Sequence, residues 1–127
     1  MINDRIKALI RDFNPWWEGK EVTVPEYRRY MFNDVQKYMR TKQILAIVGL
    51  RRVGKTVLMM QIIKDFVKLE KKNVMYFLFD ELIAQNPETL EDILDYYLKT
   101  VAKEGKKYIF FDEIHKIPYW QDVLKRL

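Results

Sequence analysis

The sequence predicts an α/β fold, a parallel sheet with helices flanking it, and three observations predict it. Apolar runs recur at about residues 43–48, 74–79 and 107–111, with amphipathic helical patterns between them. Each run is apolar throughout instead of alternating, as strands covered on both faces are. Each also ends in a residue suited to ligand chemistry: Gly49, Asp80 and Asp112. Ligands of parallel α/β sheets bind at the carboxyl ends of the strands, so these three residues converge on one expected site.

The elements follow in order. Ile2, Ile6, Leu9, Ile10 and Phe13 fall on one face of a helix that Asn14-Pro15 stops. Trp16-Trp17 and a loop through Gly19 to Pro25 lead to a second helix, expected from Glu26 to about Arg40, with Tyr27, Tyr30, Met31, Val35 and Tyr38 as its apolar stripe. Ile44 to Val48 is the first strand. Lys55 to about Lys68 is helical, with Leu58, Ile62, Phe66 and Leu69 at three- and four-residue steps. After the polar turn Lys71-Lys72-Asn73 comes the strand Val74 to Phe79. Pro87 to Lys103 reads as one helix with Leu90, Ile93, Leu94, Tyr97, Leu98 and Val101 inward, ended by Gly105. Tyr108 to Phe111 is the last strand, and Pro118 opens a final helical segment. The expected division is a helical segment over 1–42 and a partial parallel-sheet domain over 43–127.

Composition narrows the class. At 127 residues, 49% hydrophobic and 32% charged, the chain can bury a core and is not disordered. No apolar run approaches the roughly 18 residues of a membrane span. Asp4, Arg5 and Lys7 interrupt the N-terminus, so no signal-peptide core is seen and a cytoplasmic location is expected. The absence of cysteine excludes disulfides and thiolate metal sites, and a single histidine argues against a histidine-based metal centre. The net charge of +5 suits a polyanionic partner.

Gly49-Leu50-Arg51-Arg52-Val53-Gly54-Lys55-Thr56 matches G-x-x-x-x-G-K-[ST], a phosphate-binding loop, between a strand and a helix as that motif requires. The spacing has a physical reason. Two glycines let the backbone wrap tightly and aim successive N–H groups at phosphate oxygens, and the helix N-terminus adds about half a positive charge. Lys55 is placed to reach the β- and γ-phosphates and the Thr56 hydroxyl to bind Mg²⁺. Asp112-Glu113 supplies the other half. Asp112 is placed to hold the Mg²⁺, and Glu113 to orient and deprotonate an attacking water as general base. Solvated acids at a strand end are the simpler alternative for this pair.

Taken together, the glycine loop, Phe79-Asp80-Glu81, Phe111-Asp112-Glu113-Ile114-His115-Lys116 and the early Asn14-Pro15-Trp16-Trp17 resemble a family of archaeal and bacterial ATPases in the AAA+ superfamily of P-loop NTPases. The resemblance covers nearly the whole chain. It implies ATP as the nucleotide, and the chain carries no Asn-Lys-x-Asp motif of the guanine-reading kind. It also implies Walker A and Walker B roles for Gly49–Thr56 and for Asp112. Family members are longer. They carry further strands, a sensor residue and an arginine finger, and a strand that inserts between the Walker B and phosphate-loop strands. The chain is therefore expected to be the N-terminal part of a longer ATPase. Its strands are expected either to close up beside one another or to borrow pairing from another copy. An arginine finger contributes roughly 10³ to 10⁵ in rate. None is identified here, so Mg-ATP binding with slow or no hydrolysis is expected.

Other residues carry two readings each. Arg51 and Arg52 are phosphate-steering charges or a finger acting in trans. Asp80-Glu81 organise metal-bound water or simply turn the chain. His115 is structural, or contacts phosphate or nucleic acid. Trp16 and Trp17 pack on the core or stack on adenine. Arg28, Arg29, Lys37, Arg40 and Lys42 make the second helix basic, as solvated charge or as a DNA-binding face. A nucleotide-regulated DNA-binding module is thus the alternative function. A phosphotransferase is a third, and the water-activating Glu113 argues against it.

Overall fold

The computed structural model describes residues 2–21, 44–49, 55–68 and 70–126, with backbone alone along 44–49, at 55–59 and at 66. The basic second helix expected at 26–40 lies outside these residues.

Helix α1 (Asp4–Phe13) begins where the Asn3 side chain accepts a hydrogen bond from the Ile6 amide at 2.8 Å, with Asp4 in its first turn. It buries the stripe Ile6, Leu9 and Ile10. The chain then tightens into a 3-10 turn over Pro15–Glu18, closed by Gly19 at φ +89°, a left-handed conformation that glycine adopts without a Cβ clash.

Strands β1 (Ile44–Gly49), β2 (Val74–Leu78) and β3 (Lys107–Asp112) form a parallel sheet in the order β1-β3-β2. The register runs from Ile44 opposite Lys107 to Gly49 opposite Asp112, and from Val74 opposite Tyr108 to Leu78 opposite Asp112. Among the described residues, β1 therefore lies directly against β3, and the strands close up without a gap. Alternate side chains enter two apolar clusters. Met75, Phe77, Phe79, Ile109 and Phe111 pack with α1, with helix α3 (Pro87–Tyr96) and with Val123 of the short helix α4 (Trp120–Leu124). Val74, Tyr76, Tyr108 and Phe110 pack with Trp16 and with Ile62 and Ile63 of helix α2 (Lys55–Val67). Helices on both faces explain strands that carry no polar alternation.

The outer edge of β2 is covered by the segment after α1. The Asn14 side chain accepts from the Tyr76 amide at 2.7 Å and donates to the Tyr76 carbonyl at 2.9 Å, as a neighbouring strand would. It also donates to the Ile10 carbonyl at 2.7 Å, which ties the end of α1 to the sheet. The indole N–H groups of Trp16 and Trp17 both donate to the Val74 carbonyl, at 2.9 and 2.8 Å. Of the two readings of the tryptophans, the structure shows core packing: Trp16 is buried, and Trp17 stacks on Tyr97 at 5.6 Å and 9°. An edge strand otherwise offers unpaired backbone groups to other chains.

The helix expected over 87–103 divides in the structure. Asn86 caps α3 by accepting from the Thr89 amide at 2.7 Å, but the α-helix stops at Tyr96 and a π-helical turn runs over Tyr97–Val101. The chain is anchored at this point. The Tyr97 hydroxyl donates to the Lys72 carbonyl at 2.9 Å. Asn73 accepts from the Lys103 amide at 2.6 Å and donates to the Glu104 carbonyl at 3.1 Å, drawing the backbone out of the helix. Gly105, expected to end the helix, lies in the following turn at φ +104°.

Two predictions follow from these contacts. Replacing Asn14 by Ala strands the buried Tyr76 backbone groups, and should lower unfolding free energy by about 3 kcal/mol in urea denaturation. The second concerns alkali. Burial, and then the charge of Glu70, push the Tyr97 phenol well above its ordinary range, and burial does the same for Tyr76. The neutral phenol is thus the folded form. Its contribution is complete below the unfolded value of about 10 and is lost as pH rises above it. Stability should fall above about pH 10, and Tyr97→Phe should make that fall shallower by about 1.4 kcal/mol per pH unit, measured by urea titrations at several alkaline pH values.

Candidate functional site

β1 ends at Gly49 and α2 begins at Lys55, so strand, glycine loop and helix stand in the order a phosphate cradle needs. Leu50, Arg51, Arg52, Val53 and Gly54 lie outside the described residues. Lys55 and Thr56 occupy the first turn of α2, where backbone amides have no partner within the helix and favour an anion. The side chains of these two residues are likewise outside the description.

The β3 register brings the two halves of the motif together. Gly49 is paired with Asp112, so the strand that enters the loop and the strand that carries the acid end side by side. Asp112 is 3% exposed. Water solvates it poorly, so its carboxylate must be held by protein groups. The buried Tyr76 supplies one, its hydroxyl donating to Asp112 Oδ2 at 2.8 Å. Besides burial, this hydrogen bond and the negative charges of Asp112, Asp80 and Glu113 keep the Tyr76 phenol neutral. Tyr76 belongs to no motif and sits inside an apolar strand. The available signal was a phenol on the strand next to β3, since a buried Tyr needs a partner for its hydroxyl.

Glu113 follows with φ +60° and ψ 30°, a left-handed backbone that costs a side-chain-bearing residue roughly 1–3 kcal/mol. Its Oε2 is buried without a hydrogen-bond donor among the described residues, and His115 Nδ1 stands 3.4 Å from it. Asp80 and Glu81 instead form ion pairs with Lys116 and with Arg5 of α1. Lys116 donates to Asp80 at 2.7 Å, and Arg5 forks onto Glu81. The structure thus brings together Gly49, Asp112 and Glu113, with Lys55 and Thr56 opening the adjoining helix.

The donor set suits a hard cation. Asp112 offers carboxylate oxygens to it, and the carboxylate of Glu113 follows directly in sequence. Among the described residues no group of three or more His, Asp or Glu forms a cage that could hold a metal alone. Mg²⁺ is ordinarily held in this way, by one or two carboxylates together with phosphate oxygens. Among the same residues no helix is long and apolar enough to cross a membrane.

Comparison with known proteins agrees with this geometry. The family model described as "AAA domain" matches residues 41–127. A protein of Methanocaldococcus jannaschii, itself described as uncharacterized, is 36% identical over 99 residues, which cover 73% of this chain and 21% of that relative. The chain thus spans about a fifth of the length of the curated relative it matches. No solved structure matches it. The family match takes in the strand that enters the loop, the loop itself and the buried acid beside it, and on that match the chain belongs to the AAA domain family.

Proposed function

We propose that this chain binds Mg-ATP, as the N-terminal portion of a longer AAA-type ATPase in which the nucleotide is hydrolysed. Membership of the AAA domain family supports nucleotide binding in general. The observation that supports the finer reading is the pairing of Gly49 with Asp112, which sets the strand that leads into the glycine loop beside a buried carboxylate. In this reading the backbone of Gly49-Leu50-Arg51-Arg52-Val53-Gly54 cradles the phosphates, and Lys55 neutralises charge on the β- and γ-phosphates. Thr56 and Asp112 would hold Mg²⁺, which neutralises phosphate charge when bound.

Glu113 acts on water. It follows Asp112 directly in a left-handed backbone, and its Oε2, without a donor among the described residues, is an acceptor able to take a proton. His115 Nδ1 lies 3.4 Å from the same oxygen. Hydrolysis needs a positive charge on the transferring phosphoryl group as well. We assign that role to the longer protein, so that this chain alone binds without efficient turnover.

Calorimetric titration of ATP with Mg²⁺ into this chain should give micromolar binding, about −8 kcal/mol. Lys55→Ala should weaken it at least tenfold, and equal binding by the two proteins would overturn the assignment of the loop. In the longer protein, Glu113→Gln should preserve ATP affinity while single-turnover hydrolysis slows by a factor of about 10² or more. An unchanged rate would remove Glu113 from the role of base.

A further inference from the structure

We propose that Tyr76 is a positioning residue for the metal site: its hydroxyl, 2.8 Å from Asp112 Oδ2, fixes the carboxylate in the orientation that receives Mg²⁺. The inference rests on the reading of Asp112 as a metal-site residue. Groups that hydrogen-bond a ligating carboxylate orient it and strengthen metal binding, and their loss typically costs 10- to 100-fold in metal affinity.

Three features argue for positioning over ordinary core packing. First, Tyr76 and Asp112 are both nearly out of water, 4% and 3% exposed, so rotation of the carboxylate would leave the phenol without its acceptor. Second, the Tyr76 backbone is itself immobilised. Asn14 binds its amide and its carbonyl, and the Phe13 ring meets its ring edge-on at 6.0 Å. The hydroxyl is therefore presented from a rigid support. Third, a buried phenol needs only one acceptor, and a backbone carbonyl serves Tyr97 in this way. At Tyr76 the acceptor is the acid at the end of β3, the residue paired with the strand that enters the glycine loop. The contact chain runs from Asn14 to Tyr76 to Asp112, and it makes the segment after α1 a support of the site.

The test separates Mg²⁺-dependent from Mg²⁺-independent ATP affinity by calorimetry, with Mg²⁺ present or removed by chelator. Tyr76→Phe keeps the ring and removes the hydroxyl. Tyr97→Phe, which removes a buried hydroxyl that donates to the Lys72 carbonyl, is the control. The expected result is a tenfold or greater loss of the Mg²⁺-dependent gain in Tyr76→Phe, with affinity in chelator unchanged, and no such loss in Tyr97→Phe. An unchanged gain in Tyr76→Phe, or an equal loss in both variants, overturns the proposal. Asp112→Asn supplies a second arm. If Tyr76 acts through Asp112, adding Tyr76→Phe to Asp112→Asn should reduce the gain no further, and an additive loss overturns the proposal. If the unsubstituted chain binds ATP with no Mg²⁺ gain, the reading of Asp112 fails and the proposal with it. That outcome is distinct from one in which the gain is present and indifferent to Tyr76.

Discussion

Tyr76 is held at both ends, and much of the molecule depends on that grip. Asn14 takes its backbone N–H and C=O, and Asp112 takes its hydroxyl. The first contact answers a problem any end strand poses, a row of unpaired backbone groups facing away from the sheet. The second answers a problem any buried acid poses, a charge withdrawn from water. One residue meets both needs because β2 stands next to β3, so a side chain from the first strand can reach the acid at the end of the second. The edge and the site are then coupled mechanically through a single rigid phenol.

The central strand carries the other burden. β3 is flanked by a strand on each side and covered on both faces, and Ile109, Phe110 and Phe111 are wholly buried. Such a strand cannot shift without disturbing two ladders and two apolar clusters. Its carboxyl end is thus the most rigid place to mount Asp112 and Glu113. That rigidity can sustain the left-handed backbone of Glu113. Just beyond, Ile114 is buried and Lys116 is bound to Asp80, so the strained residue is restrained on both sides.

The architecture was legible in the sequence where one physical rule dominates. Apolar runs without alternation announced a sheet covered on both faces, and Gly49 with Asp112 marked the ends that carry the site. The run over 44–49 and the helix from Lys55 follow the pattern closely. Strand order was not legible, because all three runs are equally apolar and nothing in their composition selects neighbours. The π-helical turn was hidden for a different reason. Leu94, Tyr97, Leu98 and Val101 fit an α-helical stripe, and the departure comes from distant anchors at Lys72 and Asn73. Asn14 looked like a helix stop, which it is, but its role as a surrogate strand depends on a partner 62 residues away. Tyr76 was concealed as one more apolar strand residue, since only the fold reveals which acid its hydroxyl meets.

The strand order also has a consequence for the time at which this sheet can exist. Among the described residues β1 and β2 are not neighbours; each pairs with β3, the last of the three to be made. While a ribosome extends the chain, the first two strands emerge with no partner to receive them. Synthesis of the residues from β1 to β3 takes on the order of several seconds. During that wait β2 can be shielded by α1 and Asn14, which precede it in the chain, whereas the strand that pairs with β1 is Lys107–Asp112. Among these three strands the ladders can therefore form only once β3 has been made, and a product interrupted before β3 would hold β1 and β2 with no ladder between them.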